Sequence, residues 1–237
     1  MSFLYLVAAV ILLILFYVGF ILMKHFDNKT MINIILCAII FTCYIVNLCI
    51  IYSKVGWADW NFQNALPYSN ISPFMFFTCP LFFIVPKKVR KYVGSLYAIL
   101  VVGMVLSPVL TSIRYFSTSV KFHASFMLDY VSHLAFALWG VYLVQSKQIE
   151  LNKKDSLIGG SIIVSVALIM LIINAIFDKA FFGLSLRGKH NIYNVVLVNN
   201  SFASALIYFS GLIAVLFAGY FFEKLLIYIN KKNKAKE

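Results

Sequence analysis

Long apolar stretches separated by short polar ones run through the whole chain. A helix that crosses the hydrocarbon core of a bilayer needs about 20 apolar residues. Seven stretches have this length, at about 2–23, 31–53, 66–86, 91–113, 124–146, 157–178 and 203–228. The pattern predicts an all-α polytopic membrane bundle of seven transmembrane helices. The first stretch lacks a positively charged start and a small-residue cleavage site, so we expect a retained span rather than a signal peptide.

The third stretch differs from the others in its proline content. It contains four of the five prolines of the chain, Pro67, Pro73, Pro80 and Pro86. Proline removes a backbone donor and clashes with the preceding turn. Within a membrane the freed carbonyls need neighbouring helices or a water-filled cavity. We therefore expect a proline-broken third helix inside the bundle, away from lipid.

The basic residues indicate how the bundle is oriented. Alternate loops, together with the C-terminal end, hold 14 of the 20 Lys and Arg residues, and the other loops hold six. Basic residues concentrate on the cytoplasmic side of membrane proteins. The bias predicts an outside N-terminus and an inside C-terminus, which agrees with an odd number of spans. We expect a single seven-span domain over 1–230 and a basic cytoplasmic tail over 231–237.

Composition agrees with this class and excludes others. The chain is 62% hydrophobic and 12% charged, with a mean hydropathy of +0.92 and a net charge of +12. Soluble domains are about 25% charged, so a soluble enzyme, a disordered chain and a nucleic-acid-binding module are excluded. We expect membrane lipid rather than nucleic acid as the partner. The abundance of Lys, Asn and Ile favours a bacterial plasma membrane.

The cysteines give no sign of a metal or disulfide site. Cys37, Cys43, Cys49 and Cys79 all lie within predicted spans, and none of them forms a C-x-x-C pair. Buried free thiols are the expected state. The sequence contains no recognisable cofactor or metal motif, and we expect neither a metal nor a cofactor.

The fifth stretch carries the most conspicuous polar group. Ser125, Asp129, Ser132 and His133 are spaced so that they share one helical face. Asp129 and His133 lie one turn apart, where a carboxylate can orient an imidazole and stabilise its charged form. Ionisable residues within a membrane are candidate functional sites. The alternative is a buried polar pair that only holds helices together.

The predicted topology places most polar side chains of the spans in the outer leaflet. His123 lies near the outer interface, and His133 follows ten residues later, about 15 Å deeper at 1.5 Å per residue. We predict an outward-facing polar cavity around His133. The substrate-binding candidates in the spans are Ser69, Asn70, Ser72, Ser132 and Asn174. In the loop above, Arg187, Lys189 and His190 are candidates for contacting an anionic headgroup, with a solvated loop as the alternative.

These residue types favour acyl transfer or hydrolysis over other chemistry. His133 is the candidate general base, Asp129 its orienting partner, and His123 a second acid, base or headgroup contact. The possible nucleophiles are Ser69, Ser72, Ser132, Thr78 and Cys79, and none lies in a recognisable nucleophile elbow.

Several short motifs occur in the order and spacing of a known family. They are Leu66-Pro67 in the third stretch, His123 and Ser132-His133 in the fifth, Val141-Tyr142, Asn174, and the Asn/Tyr stretch from Asn191 to Asn194. In these features, over about residues 60–225, the chain resembles the YwaF-type integral membrane proteins. Their eukaryotic relatives include a membrane acyltransferase of phospholipid remodelling.

The resemblance implies a seven-span fold and an acyl-transfer activity on a phospholipid or lipid-linked substrate. The family's third span typically reads Leu-Pro-x-His-x-Cys, whereas this chain has Ser69 in place of the His and Ile71 in place of the Cys. This departure argues against an acyl-cysteine step there and leaves Ser69 or Ser72 as substitutes. A carrier or binding protein for a small solute or lipid, and an accessory subunit of a membrane complex, stay open as alternatives.

Overall fold

A computed structural model describes residues 3–55, 70–117, 124–177, 182, 184 and 201–234. All the secondary-structure elements in these ranges are helices. They are α1 (Phe3–Met23), α2 (Lys29–Val55), α3 (Ile71–Thr78), α4 (Leu81–Ile84), α5 (Lys87–Ser117), α6 (Ala124–Gln145), α7 (Lys153–Phe177) and α8 (Ser201–Lys234). Six of these helices, α1, α2, α5, α6, α7 and α8, are long and apolar enough to span a membrane.

The third predicted span contains two short helices. Asn70 caps α3, because its side chain accepts a hydrogen bond of 2.9 Å from the Ile71 amide. A turn at Cys79-Pro80 separates α3 from α4, and Pro86 directly precedes α5. The eight and four residues of α3 and α4 are fewer than the roughly 20 that a spanning helix needs. The number seven therefore stays a prediction.

The other helices agree closely with the expected spans but extend further at several ends. α5 begins four residues earlier than predicted and reaches Ser117. α8 continues to Lys234, which lies within the predicted tail. Polar and basic residues can extend a helix beyond the hydrocarbon core because backbone hydrogen bonding continues into the headgroup layer, where hydropathy gives no signal.

α6 is the central helix of the bundle. It packs against α1, α2 and α5, and its residues from Ala135 to Val144 are almost all buried. Trp139 is fully buried, and its ring contacts those of Phe82 and Tyr97 at centroid distances of 5.2 and 5.1 Å. The Trp139 indole donates a hydrogen bond of 2.9 Å to Asn33 of α2. The aromatic packing fixes α6 against α5, and this hydrogen bond fixes it against α2.

Side-chain contacts define two ends of the bundle. At the first end, the ring of Tyr5 in α1 meets Tyr115 of α5 and Phe126 of α6 at 5.2 and 4.9 Å. At the second end, the Tyr142 hydroxyl donates to the carbonyl of Phe26, in the turn between α1 and α2, at 3.0 Å. α1 and α6 therefore both run from the first end to the second.

Other contacts orient the remaining helices. Lys91 and Asp155 pair at 3.2 Å, which places the starts of α5 and α7 together at the second end. A Cβ added to Gly219 of α8 would collide with the Ile99 carbonyl oxygen of α5, and one added to Gly103 would meet Val215. Because Gly219 contacts Ile99 and Val215 contacts Gly103, α8 runs antiparallel to α5. α8 therefore ends at the second end.

The outer surface of the bundle is apolar. Long aliphatic side chains of α1 and α7 are exposed, among them Ile11, Ile14 and Ile172. Together with the six apolar helices, this surface is typical of a protein surrounded by lipid.

Candidate functional site

The Asp129–His133 pair occupies the middle of the central helix. The two residues are one helical turn apart in α6, as their spacing predicts. The His133 Nδ1 atom lies 3.4 Å from an Asp129 carboxylate oxygen and 2.8 Å from the Asp129 backbone oxygen. His133 is only 3% exposed, whereas about a third of the Asp129 side chain is exposed.

This geometry fixes the tautomer of the imidazole. A carbonyl oxygen can only accept a hydrogen bond, so Nδ1 must carry the proton that it donates to Asp129. In the neutral ring Nε2 is then an acceptor. Nε2 is buried and has no hydrogen-bond partner among the residues that the structure describes.

Phe76 of α3 covers the imidazole. The two rings are perpendicular, with centroids 4.9 Å apart. Phe76 is itself almost fully buried and also packs against Phe136 of α6. The ring separates His133 from the part of α3 that precedes it.

Most of the described nucleophile candidates are already engaged. The hydroxyl of Ser132 donates to the carbonyl of Leu128 at 2.9 Å, and that of Thr78 to the carbonyl of Phe74 at 2.8 Å. The Cys79 sulfur lies 3.5 Å from that of Cys37 in the core. These bonds are local or structural, and none of them is directed to His133.

A partly polar cavity of about 210 Å³ lies between α3, α5 and α8. Its polar lining comes from Asn70, Ser72, Ser107 and Tyr208, and apolar residues such as Met104 complete the wall. Asn70 and Ser72 are two of the substrate-binding residues predicted from the sequence. His133 and Asp129 do not line this cavity.

The cavity and the imidazole are nevertheless neighbours along α3. Ser72 precedes Phe76 by four residues, which is about 6 Å along a helix axis. Within the described residues, Asn70 and Ser72 line this cavity, whereas the Asp129–His133 pair does not.

The remaining predicted site residues lie elsewhere. Asn174 is buried near the end of α7, where its amide donates to the carbonyl of Leu184. This bond ties Leu184 to α7. His123, Ser69, Arg187, Lys189 and His190 lie outside the described residues, as do Leu66-Pro67 and the Asn191 to Asn194 stretch.

Two polar features escaped the sequence reasoning. Asn33, Trp139 and Gln148 form a network in which Asn33 also donates to Gln148 at 2.6 Å. Glu223 of α8 is fully buried. Glu223 could have been identified from the sequence, because it is an acidic residue inside the apolar stretch 203–228. The Asn33 network could not, because Asn33 lies more than 100 positions from its two partners.

The fold and the lipid-compatible surface define a multi-pass integral membrane protein. Within the described residues, no group of three or more His, Cys, Asp or Glu side chains could hold a metal ion. Comparison with protein-family models, with curated proteins and with solved structures finds no match.

Proposed function

We propose that this protein catalyses acyl transfer or hydrolysis on a membrane lipid, with His133 as the general base. The observation that carries the proposal is the state of the imidazole. Its Nδ1 proton is directed to Asp129, while its Nε2 atom is enclosed and has no partner among the described residues. A base that is oriented on one nitrogen and free on the other is the arrangement that general-base catalysis requires.

The chemistry assigned to these residues is a proton transfer. His133 Nε2 takes the proton of an attacking hydroxyl, which is supplied by water in hydrolysis or by an acceptor alcohol in acyl transfer. As the hydroxyl oxygen bonds to the acyl carbon of the ester, the old ester C–O bond breaks, and the imidazolium returns the proton to the leaving alkoxide. The Asp129 carboxylate, 3.4 Å from Nδ1, stabilises the imidazolium that forms. His123 serves as a second acid, base or headgroup contact.

The cavity beside α3 is the proposed route for the acyl substrate. Ser72 lies one turn from Phe76, and Phe76 covers the imidazole. Rotation of the Phe76 ring would join the cavity to Nε2. Asn70 and Ser72 would then supply hydrogen bonds to the substrate carbonyl, as donors in an oxyanion hole do.

We propose seven crossings, with the N-terminus outside and the C-terminus inside. α1 begins at the first end of the bundle and α8 ends at the second, which supports an odd number of crossings. Phe82 packs near Gly94 while Ser72 lines the same cavity as Ser107, so α3 and α4 run opposite to α5 toward the second end. This path supports a proline-broken third crossing.

The proposed orientation follows from the charges at the two ends. Most of the described basic residues lie at three helix ends, which are the start of α5, the start of α7 and the end of α8. These three helix ends meet at the second end of the bundle. This bias supports a cytoplasmic second end. We also propose membership of the YwaF-type family, which rests on the motifs around Leu66, His133 and Asn174.

A carrier is the second candidate function. The observation that favours it is the polar cavity between α3, α5 and α8, which His133 does not line. Such a cavity would hold a small solute without any chemistry. An experimental structure with a solute enclosed by Ser72, Ser107 and Tyr208 would support the carrier. A lipid ester beside Nε2 of His133 would support the enzyme.

Lipid mass spectrometry of cells that express His133→Ala tests the enzyme. Loss of a general base lowers a rate by about 100- to 10,000-fold, so we expect an altered acyl profile of lipids or lipoproteins. His25→Ala is the matched control, because His25 is an exposed histidine in the turn after α1. Asp129→Asn should give an intermediate profile. An unchanged profile in a strain that still expresses His133→Ala would contradict the enzyme.

A further inference from the structure

Glu223 is a buried acid that the proposed chemistry does not use. It lies on α8 within the apolar window Ala205–Leu225 and is 0% exposed. Both of its carboxyl oxygens are buried, and neither has a hydrogen-bond partner among the described residues. Ionisable side chains in such positions are costly and mark ion or proton sites in many membrane proteins.

The register between α8 and α5 places a hydroxyl opposite Glu223. Gly219 packs on Ile99, and Val215 packs on Gly103. The two helices are antiparallel, so moving four residues forward along α8 corresponds to moving four residues backward along α5. One further turn brings Glu223 opposite Ser95. Ser95 is fully buried, and its hydroxyl oxygen has no described partner.

α7 joins the same interface. A Cβ on Gly160 would contact both Ile99 of α5 and Leu216 of α8, so the three helices meet there. A Cβ on Gly159 would meet the Tyr92 carbonyl of α5, so Ser156, three residues earlier in α7, lies about one turn nearer the second end than Ser95. Ser156 is also buried, with an unpartnered hydroxyl oxygen among the described residues.

The charged groups on the surrounding helices are committed to other partners. Lys91 pairs with Asp155, the Arg90 guanidinium donates to the carbonyl of Phe83, and the Lys224 ammonium lies over the Tyr220 ring. Asp129 and His133 of α6 pair with each other. The sequence of α1 contains no charged residue. The other titratable groups on α5, α7 and α8 include Lys87, Lys88, Tyr92, Tyr97, Arg114, Lys153, Lys154 and Tyr208. The carboxyl oxygens of Glu223 have no hydrogen-bond partner among the described residues.

An ionised carboxylate without a partner is unfavourable in this interface. Transfer of such a group out of water costs far more than transfer of its neutral acid. Among the described residues Glu223 has no hydrogen-bond partner, so no side chain there stabilises an ionised carboxylate or completes a set of metal ligands. Glu223 does not line the cavity between α3, α5 and α8.

We propose that Glu223 is a proton-binding site that holds its proton in the packed bundle, with Ser95 of α5 as the hydroxyl opposite it. Uptake adds one proton from water to a carboxylate oxygen and changes no other bond. Release requires α8 to move away from α5, since the backbones touch at Gly219 and exclude water. The proposal does not depend on the catalytic role of His133.

Infrared difference spectroscopy of the full-length protein in lipid vesicles tests the site. A protonated carboxylic acid has a C=O stretch that an ionised carboxylate lacks. We expect this band at neutral pH in the wild-type protein and its loss in Glu223→Gln. The matched control is Glu150→Gln, because Glu150 is exposed in the turn between α6 and α7 and should leave the band unchanged.

A second variant and two other spectral results also test the proton site at Glu223. Ser95→Ala retains the acid and should shift the same band, which provides a test even if Glu223→Gln does not fold. A neutral-pH spectrum that shows only an ionised carboxylate at Glu223 would overturn the proton site. A carboxylate band that moves on addition of Na⁺ would overturn it in favour of a cation site.

Discussion

α1 and α6 lie side by side, yet they are opposites in composition and burial. The most apolar window of α1 has a mean hydropathy of 3.0, and 17% of its residues are buried. The corresponding window of α6 has a mean hydropathy of 1.4, and 72% of its residues are buried. In lipid the apolar helix belongs outside, and the helix with polar groups belongs where other helices can satisfy them.

This difference teaches how to read polar residues in the chain. Asn33, Trp139 and His133 are all buried and all make hydrogen bonds at helix interfaces or within α6. In a soluble protein, a hydrogen-bonding side chain most often indicates the surface. In this chain it indicates the interior, and the least hydropathic spanning helix is the best candidate for the centre of the bundle.

The largest effect should come from removing the Trp139 ring. Trp139→Ala leaves a void beside Phe82 and Tyr97 and removes the donor to Asn33. Truncation of a buried aromatic costs about 3–5 kcal/mol of unfolding free energy. Tyr17→Ala is the control on α1, where Tyr17 is 64% exposed, and should cost within about 0.5 kcal/mol. Equal losses in detergent-micelle unfolding would show that α6 is not the packed helix.

A charge on the outer face of α1 should be nearly as damaging. Ile14 is more than half exposed near the middle of α1. Because Asp at the centre of a spanning helix costs about 2.5–3.5 kcal/mol of insertion free energy, Ile14→Asp should lower the inserted fraction. Ile14→Leu should insert normally. The readout is the glycosylation or protease protection of a tag after membrane insertion. Normal insertion of the Asp variant would place α1 away from lipid.

An added methyl group should be more harmful at Gly219, where α8 touches α5, than at Gly211, which lies further along α8 beside the cavity. A Cβ at Gly219 would collide with the Ile99 carbonyl, whereas nothing lies within 4 Å of a Cβ at Gly211. Overpacking costs about 1–3 kcal/mol, and we expect that loss of unfolding free energy for Gly219→Ala only. Gly211→Ala, on the same helix, should be neutral or stabilising. Similar behaviour of the two variants in thermal unfolding would refute the close approach of these helices.

The smallest effect should come from Ser132→Ala in α6. The hydroxyl of Ser132 is bonded to the carbonyl of its own helix four residues earlier. Loss of one such bond lowers the unfolding free energy by about 0.5–1.5 kcal/mol. The loss stays small because the carbonyl of Leu128 keeps its helical hydrogen-bond partner. A larger loss in the same unfolding assay would indicate that Ser132 bridges helices.

Hydropathy was sufficient to predict the all-helical class and the six helices that can span a membrane. Helical spacing predicted the one-turn relation between Asp129 and His133. The described part of the third stretch forms two short helices with Pro80 between them, and the orientation and the seventh crossing stay predictions.

Long-range packing limited what could be predicted of the candidate site. The contact between Phe76 and His133 depends on how α3 docks against α6. No periodicity in the sequence specifies that docking. Likewise, the separation of Asn70 and Ser72 from the imidazole follows from which helices meet at the cavity rather than from depth along each span.

Crosslinking by lipids with photoreactive acyl chains tests the central contrast between α1 and α6 most directly. The protein would be irradiated in its membrane, and the modified peptides would be located by mass spectrometry. The account predicts adducts on Ile11, Ile14 and Leu15 of α1, whose side chains are exposed, and none between Ala135 and Val144 of α6. Adducts within Ala135 to Val144, with α1 unmodified, would contradict it.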